Sequence, residues 1–186
     1  MDDPVLESLI DPLHARSYYV LRFNSRSVGK STGRASFTGF NEAKDLEAII
    51  QMAMQEIDDV RSVVIVGYSH GSLIASLHPI LPPPVKTSHV LLSYPLSPRG
   101  WLILFRTSYY AKKLEELVCN ASSNVLVLFG DHDEFTSVSK YKAWAHELQG
   151  YSGADKSLTV VEVPGGSHFW RRAGQELGGE LEQWLP

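Results

Sequence analysis

Three stretches of the 186-residue chain carry side chains that suit nucleophilic chemistry. The first is Gly67-Tyr68-Ser69-His70-Gly71, which follows four β-branched residues at 63–66 and precedes an apolar, helix-compatible run. A Gly-x-Ser-x-Gly motif between a buried strand and a helix is typical of a nucleophile elbow, a sharp turn that projects the serine hydroxyl from the end of a sheet. Glycines at 67 and 71 are expected to let the strand and the helix approach closely. Ser69 is therefore a predicted nucleophile.

The other two stretches supply an acid and a base. Asp131-His132-Asp133-Glu134 follows the apolar run 125–129, and a glycine-rich segment that presents His168 follows the run 158–163. Both lie at the carboxyl ends of predicted strands, where open α/β sheets collect catalytic groups. The order serine, acid, histidine is the one found in α/β-hydrolases. The residue types alone leave the acid open within 131–133. The same cluster suggests a metal site, but no matching ligand set lies elsewhere in the sequence, so no metal is expected.

The elements around these stretches alternate between strand and helix. The apolar pattern predicts strands at 18–23, 63–66, 90–94, 125–129 and 158–163, and helices at 3–16, 42–58, 70–78, 111–118, 137–149 and 171–185. Such alternation indicates an α/β fold with a doubly wound, mostly parallel sheet of about five strands and helices on both faces.

Composition limits the domain number, the partners and the cellular compartment that can be expected. Hydrophobic residues make up 44% of the chain, which suits one domain over 1–186, and the net charge of −4 gives no reason to expect nucleic acid or a membrane as a partner. The single cysteine is typical of a reducing compartment. The N-terminus does not resemble a signal peptide, so a cytoplasmic protein is expected. The segment 29–32 (Gly-Lys-Ser-Thr) departs from a phosphate-binding loop, because Asn24 stands where the first glycine belongs.

Taken together, five stretches resemble the single-domain α/β-hydrolases of the dienelactone-hydrolase-like esterase group. They are 2–5 (Asp-Asp-Pro-Val), 20–26 (Val-Leu-Arg-Phe-Asn-Ser-Arg), 67–71, 129–133 (Phe-Gly-Asp-His-Asp) and 164–169 (Pro-Gly-Gly-Ser-His-Phe). The resemblance implies a serine hydrolase that cleaves a carboxylic ester or thioester without a cofactor. It points to Asp133 as the acid, with Asp131 as the alternative and Glu134 behind both, and to His168 as the base.

The resemblance also implies a mechanism of acyl transfer to water. His168 would take the proton of Ser69, Asp133 would orient His168, and the backbone N–H of His70 would be one oxyanion donor. The substrate would be a small apolar ester. Residues 95–112 are interpreted either as a small lid or pocket segment or as a buried segment that covers the sheet. The predicted substrate contacts are Tyr68, Trp101 and Phe105.

Two departures from the group leave alternatives open. Ser27 stands where the group has a glycine, and the chain is expected to adjust locally if that position needs a positive φ. Members of the group also carry, before the position of Met1, a strand that lies between 18–23 and 63–66 and a His-Pro…Gly-Gly loop that gives the second oxyanion donor. Without that strand, 18–23 and 63–66 must pair directly or leave an exposed edge open to oligomerisation. The alternatives are a catalytically weak or silent binding protein, and a lyase or acyl transferase that uses the same serine.

Overall fold

The computed structural model describes residues 3–36, 38–96, 107–152 and 157–186. In chain order its elements are α1 Pro4–Ser8, α2 Ile10–Ala15, α3 Phe40–Glu56, β1 Ser62–Tyr68, α4 His70–Ser76, β2 Lys86–Leu92, α5 Thr107–Val118, β3 Val125–His132, α6 Val138–Tyr151, β4 Leu158–Ser167 and α7 Gly174–Trp184. None of the helices in these ranges has both the length and the apolar character needed to cross a membrane.

The four strands form one parallel sheet in the order β1-β2-β3-β4. Because all four run the same way, their carboxyl ends meet at one edge of the sheet. Ser69 follows β1, Asp133 follows β3 and His168 follows β4. The topology therefore brings the three predicted catalytic residues to the same edge.

Helices cover both faces of the sheet, as the alternating pattern predicted. One face packs against α3, α4, α5 and α6, with a buried core that includes Leu46, Leu73, Leu91, Leu114, Phe129 and Tyr141. The opposite face packs against α1, α2 and α7 through Val5, Leu9, Leu13, Leu92, Leu128, Leu177 and Leu181. Both faces of β3 are buried, which explains why 125–129 is a continuous apolar run, whereas β2 also buries the polar residues Thr87, Ser88 and His89.

The sheet has four strands where about five were expected, because 18–23 forms no strand and pairs with no neighbour in the sheet. Tyr19 is 83% exposed and Leu21 50% exposed. A cavity of about 1080 Å³, here called the edge groove, is lined by residues 16–26 on one side and by 58–68 on the other. A β-strand is defined by its backbone hydrogen bonds to a neighbouring strand. Among the described residues, no backbone hydrogen bond joins 18–23 to 58–68. The expectation of a strand at 18–23 is therefore wrong, and direct pairing with 63–66 does not occur.

Several helix boundaries differ from the sequence pattern, and the helix predicted at 111–118 begins at Thr107. The predicted helix 3–16 divides at Leu9, and Pro12 lies within α2. Asp3 does cap α1, because its carboxylate accepts the N–H groups of Val5 and Leu6 at 2.9 and 3.2 Å. The helix predicted at 42–58 begins at Phe40, after a left-handed residue at Gly39 rather than at an Asn41 cap, and the last helix begins at Gly174 rather than 171.

Ser27, which stands where the esterase group that the sequence resembles has glycine, has a positive φ of 64°. The chain does not avoid this conformation by a local adjustment. Instead the Ser27 hydroxyl donates to the carbonyl of Gly33 at 2.8 Å and accepts the N–H of Ala35 at 3.1 Å. These two hydrogen bonds offset part of the cost of a left-handed serine.

Candidate active site

Ser69 lies in a tight turn between β1 and α4. Its backbone has φ 52° and ψ −122°, a conformation that residues other than glycine rarely adopt. A Cβ on Gly67 would overlap the carbonyl of Gly71 and would lie 2.7 Å from the Cβ of Ala75. Among the described residues outside its own helix, nothing lies within 4 Å of a Cβ built on Gly71. In the part of the chain that the structure describes, the close approach of strand and helix requires glycine at 67 and not at 71, so the expectation that it also requires glycine at 71 is wrong.

Ser69, His168 and Asp133 form one hydrogen-bonded chain. The Ser69 Oγ lies 3.0 Å from His168 Nε2, and His168 Nδ1 lies 2.8 Å from Asp133 Oδ2. An ionised carboxylate only accepts hydrogen bonds, so Nδ1 carries the imidazole proton and Nε2 is free to accept the proton of Ser69. The structure thus brings the predicted nucleophile, base and acid into contact.

Asp133 is fully enclosed and all its partners are donors. Its side chain has no exposed surface. One oxygen accepts the N–H groups of Phe135 and Thr136 at 2.8 and 2.9 Å, and the other accepts Tyr141 Oη at 3.3 Å as well as the imidazole. Burial disfavours its charge, but the hydrogen bonds from His168, Phe135 and Thr136 outweigh burial and lower its pKa below the ordinary value. Asp133 is therefore a carboxylate at neutral pH.

The neighbouring acids contact the histidine loop through its main chain. Asp131 accepts the N–H of Gly165 at 2.7 Å and also pairs with the exposed His132. Glu134 accepts the backbone N–H of His168 at 2.7 Å. Of the three acids, Asp133 alone is bonded to the imidazole ring among the described contacts, so the geometry favours Asp133 over Asp131 as the acid. Within the described ranges, no three His, Cys, Asp or Glu side chains are grouped so that they could hold a metal ion.

Two further contacts join the histidine loop to neighbouring strands. A Cβ on Gly130 would overlap the backbone of Gly166, which shows how closely the main chains of the acid and histidine loops approach. The indole N–H of Trp170 donates to Ser93 Oγ, just beyond β2, at 3.1 Å. His168 therefore lies on a loop that is attached to β2 and β3.

The predicted substrate contacts have different outcomes. Trp101 and Phe105, with most of the predicted lid segment 95–112, lie outside the described residues. Tyr68 borders the edge groove, and its hydroxyl donates to the carbonyl of His168 at 2.9 Å. A role for Tyr68 in binding substrate stays a prediction.

Sequence reasoning missed the aromatic side chains that surround the imidazole. The ring of Phe135 packs edge-on against that of His168 with centroids 4.4 Å apart, and Phe169 contacts both. Phe135 is 37% exposed and Phe169 42% exposed. Their position in the sequence was a usable signal, because Phe135 follows the acidic cluster and Phe169 directly follows His168.

Comparison with solved structures identifies the fold of the chain. The chain aligns over its whole length with an α/β serine hydrolase homologue from Coxiella burnetii (TM-score 0.76, 23% identity, 78% of that chain). It aligns equally with an α/β serine hydrolase without a lid from Xanthomonas campestris (TM-score 0.75, 24% identity, 76% of that chain). The chain has the α/β-hydrolase fold.

A third neighbour of this α/β-hydrolase fold is Est1E from Butyrivibrio proteoclasticus, in a structure with bound ferulic acid. It matches 98% of this chain and 82% of its own at a TM-score of 0.74 and 17% identity. No protein-family profile and no curated protein sequence matches the chain. At these identities the likeness shows the α/β-hydrolase fold alone, and the activity must be argued from the site.

Proposed function

We propose that this protein is a serine hydrolase that cleaves carboxylic esters or thioesters through an acyl-enzyme. The observation that carries the proposal is the continuous hydrogen-bonded chain from Ser69 through His168 to Asp133, with heavy-atom distances of 3.0 and 2.8 Å. A nucleophile, a base in contact with it and a third group that orients the base are the parts that acyl transfer needs. The position of Ser69 in a strained turn after a parallel strand supports the same proposal.

The geometry gives each residue a step. His168 Nε2 takes the proton of Ser69 as Oγ attacks the carbonyl carbon, and the imidazolium then gives that proton to the leaving alcohol or thiol. Water, deprotonated by the same nitrogen, releases the acid and regenerates Ser69. Asp133 holds Nδ1 protonated and stabilises the imidazolium. The backbone N–H of His70 directly follows the nucleophile and has no acceptor among the described residues, which supports its role as an oxyanion donor.

The side chains beside the imidazole support an apolar substrate. Phe135 and Phe169 remain partly exposed next to His168, although burial would be favourable for both rings. An apolar acyl or alcohol group placed against them would remove this surface from water. The proposal is therefore an esterase for small apolar substrates rather than for highly charged ones.

Covalent labelling tests the proposal. The folded chain is treated with a fluorophosphonate and analysed by intact mass and peptide mapping, beside Ser69→Ala, His168→Ala and, as a serine control, the exposed Ser139→Ala. We expect one adduct on Ser69 in the wild type and in Ser139→Ala, and none in the other two variants. Turnover of short-chain p-nitrophenyl esters should follow the same pattern. A folded wild-type chain that carries no adduct would contradict the proposal and favour a silent binding protein.

A further inference from the structure

His168 is held by its main chain as well as by its ring. Its N–H donates to Glu134 at 2.7 Å, and its carbonyl accepts the hydroxyl of Tyr68 at 2.9 Å. The two partners come from different parts of the sheet, because Tyr68 ends β1 and Glu134 lies just beyond β3. Both polar groups of one peptide residue are thus bonded to side chains of other elements.

We propose that Glu134 and Tyr68 are positioning residues that clamp the main chain of His168 and so fix the imidazole against Ser69. The inference rests on the proposed hydrolase function. Neither side chain need touch the substrate, since each acts through His168.

The loop that carries His168 has a reason to need such a clamp. The chain just before it includes Gly165, at φ 72°, and Gly166 at the end of β4, and glycine leaves the backbone many accessible conformations. The hydrogen bond to Asp133 holds one ring atom, and those of Gly165 and Trp170 hold the chain on either side, but they leave the peptide groups of His168 itself free to shift. A misplacement of about 1 Å between reacting groups can cost about 10²-fold in rate. Bonds to both main-chain groups of His168 remove that freedom.

Both contacts persist under ordinary conditions. Burial, with the charges of Asp3, Asp133 and Glu134, raises the pKa of Tyr68 to about 12, so its hydroxyl keeps the proton that it donates. The bond to Glu134 is assisted by the carboxylate charge, which strengthens it relative to a neutral pair. Tyr68 also directly precedes Ser69, so a single turn of chain supplies the nucleophile and one arm of the clamp.

The test separates the clamp from general folding defects and from the proposed function itself. The variants are Tyr68→Phe, Glu134→Ala and Glu134→Gln. The matched controls are Tyr151→Phe, whose hydroxyl donates to Glu147 on the exposed side of α6, and Glu162→Gln, whose carboxylate pairs with Lys142. The first readout is the low-field ¹H NMR signal of the Nδ1 proton shared with Asp133, which needs no turnover. The second is the rate of Ser69 labelling by fluorophosphonate.

We expect Tyr68→Phe and Glu134→Ala to shift or broaden the Nδ1 signal and to slow labelling about tenfold, given the sensitivity of rate to placement. Glu134→Gln keeps an acceptor oxygen and should recover most of the wild-type rate, while both controls match the wild type. Unchanged signal and labelling in Tyr68→Phe and Glu134→Ala would overturn the clamp, and so would an equal loss in Glu134→Gln and Glu134→Ala. If Glu134→Ala fails to fold, Tyr68→Phe decides. A wild type that is not labelled, but whose Nδ1 signal is altered by Tyr68→Phe, would support the clamp and contradict the hydrolase.

Discussion

His132 and Ser167 are the last register partners of the β3–β4 ladder. Asp133 is the first residue after β3 and His168 the first after β4, so the two side chains start from neighbouring positions at the end of a parallel pair. The ladder shifts register between Gly130 and His132, at the point where Gly130 meets Gly166. The bond between Asp133 and His168 is therefore a consequence of sheet register as well as of loop conformation.

Replacing Asp133 and Asp131 in turn tests which of the two aspartates is the catalytic acid. We expect Asp133→Asn to lower kcat/KM for an ester by about 10⁴, because an amide no longer selects the tautomer with the proton on Nδ1. Asp131→Asn keeps an oxygen that can accept the N–H of Gly165 and should cost less than about tenfold. Steady-state kinetics with p-nitrophenyl acetate give both numbers. Equal losses in the two variants would mean that the acid has been misassigned.

The two glycines of the elbow should respond differently to alanine. A Cβ on Gly67 would overlap the backbone of Gly71, so we expect Gly67→Ala to lower the free energy of unfolding by about 3 kcal/mol or more, or to prevent folding. The new methyl group of Gly71→Ala contacts no described residue outside α4, so this variant should be neutral or stabilised by up to about 1 kcal/mol. Urea unfolding followed by circular dichroism measures both. A Gly71→Ala variant as unstable as Gly67→Ala would contradict this geometry.

Hydrogen exchange along β1 should alternate. Ser69 N–H donates to Leu92 O, and Lys86 N–H donates to Arg61 O, each at 2.9 Å, so the odd-numbered residues of β1 face β2. The amides of Val64 and Val66 then point into the edge groove. We expect them to exchange at least about tenfold faster than those of Ile65 and Gly67, in native-state exchange followed by NMR. Uniform protection along the strand would show that the groove side is covered in solution.

Stability should fall in mild acid because of a buried histidine on β2. His89 is fully buried, its Nε2 donates to the carbonyl of His78 at 3.0 Å, and its Nδ1 has no partner among the described residues. Burial lowers its pKa to about 4, against an ordinary value of 6.5. The unfolded chain therefore binds the extra proton first, and stability is lost as the pH falls from about 6.5 to about 4.

The size of this effect follows from the two pKa values. Between pH 7.5 and pH 4.5 His89 should remove about 2 to 3 kcal/mol of unfolding free energy. Over the same pH range, we expect His89→Gln to lose less free energy of unfolding than the wild type, as measured by urea unfolding. The exposed His146→Gln is the control and should match the wild type. A wild type and a His89→Gln variant with the same pH dependence would contradict the assignment.

Local patterns predicted much of this molecule. The β-branched run before Ser69 and the apolar runs before Asp133 and His168 marked three strands correctly, because buried parallel strands are apolar on both faces. The residues that follow them are the ones that the structure joins by hydrogen bonds, although their catalytic roles stay predictions.

Features that depend on long-range contacts could not be predicted in the same way. The segment at 18–23 has strand-like residues, but only a neighbouring backbone would make it a strand. The contacts of Glu134 and Tyr68 with the main chain of His168 depend on the meeting of loops from three strands. The need for glycine at 67 but not at 71 depends on where the Cα–Cβ bond of each residue would point in the turn. A Gly-x-Ser-x-Gly motif does not encode that direction.

The positive φ of Ser69 also affects which residue selection for stability would favour at position 69. A side chain at φ 52° costs about 1 kcal/mol or more, and glycine at the same position would avoid that cost. Ser69→Gly should therefore unfold at a higher urea concentration than Ser69→Ala, although both lack the nucleophile. A laboratory selection for thermal resistance alone, with no requirement for turnover, would tend to discard the serine at this turn.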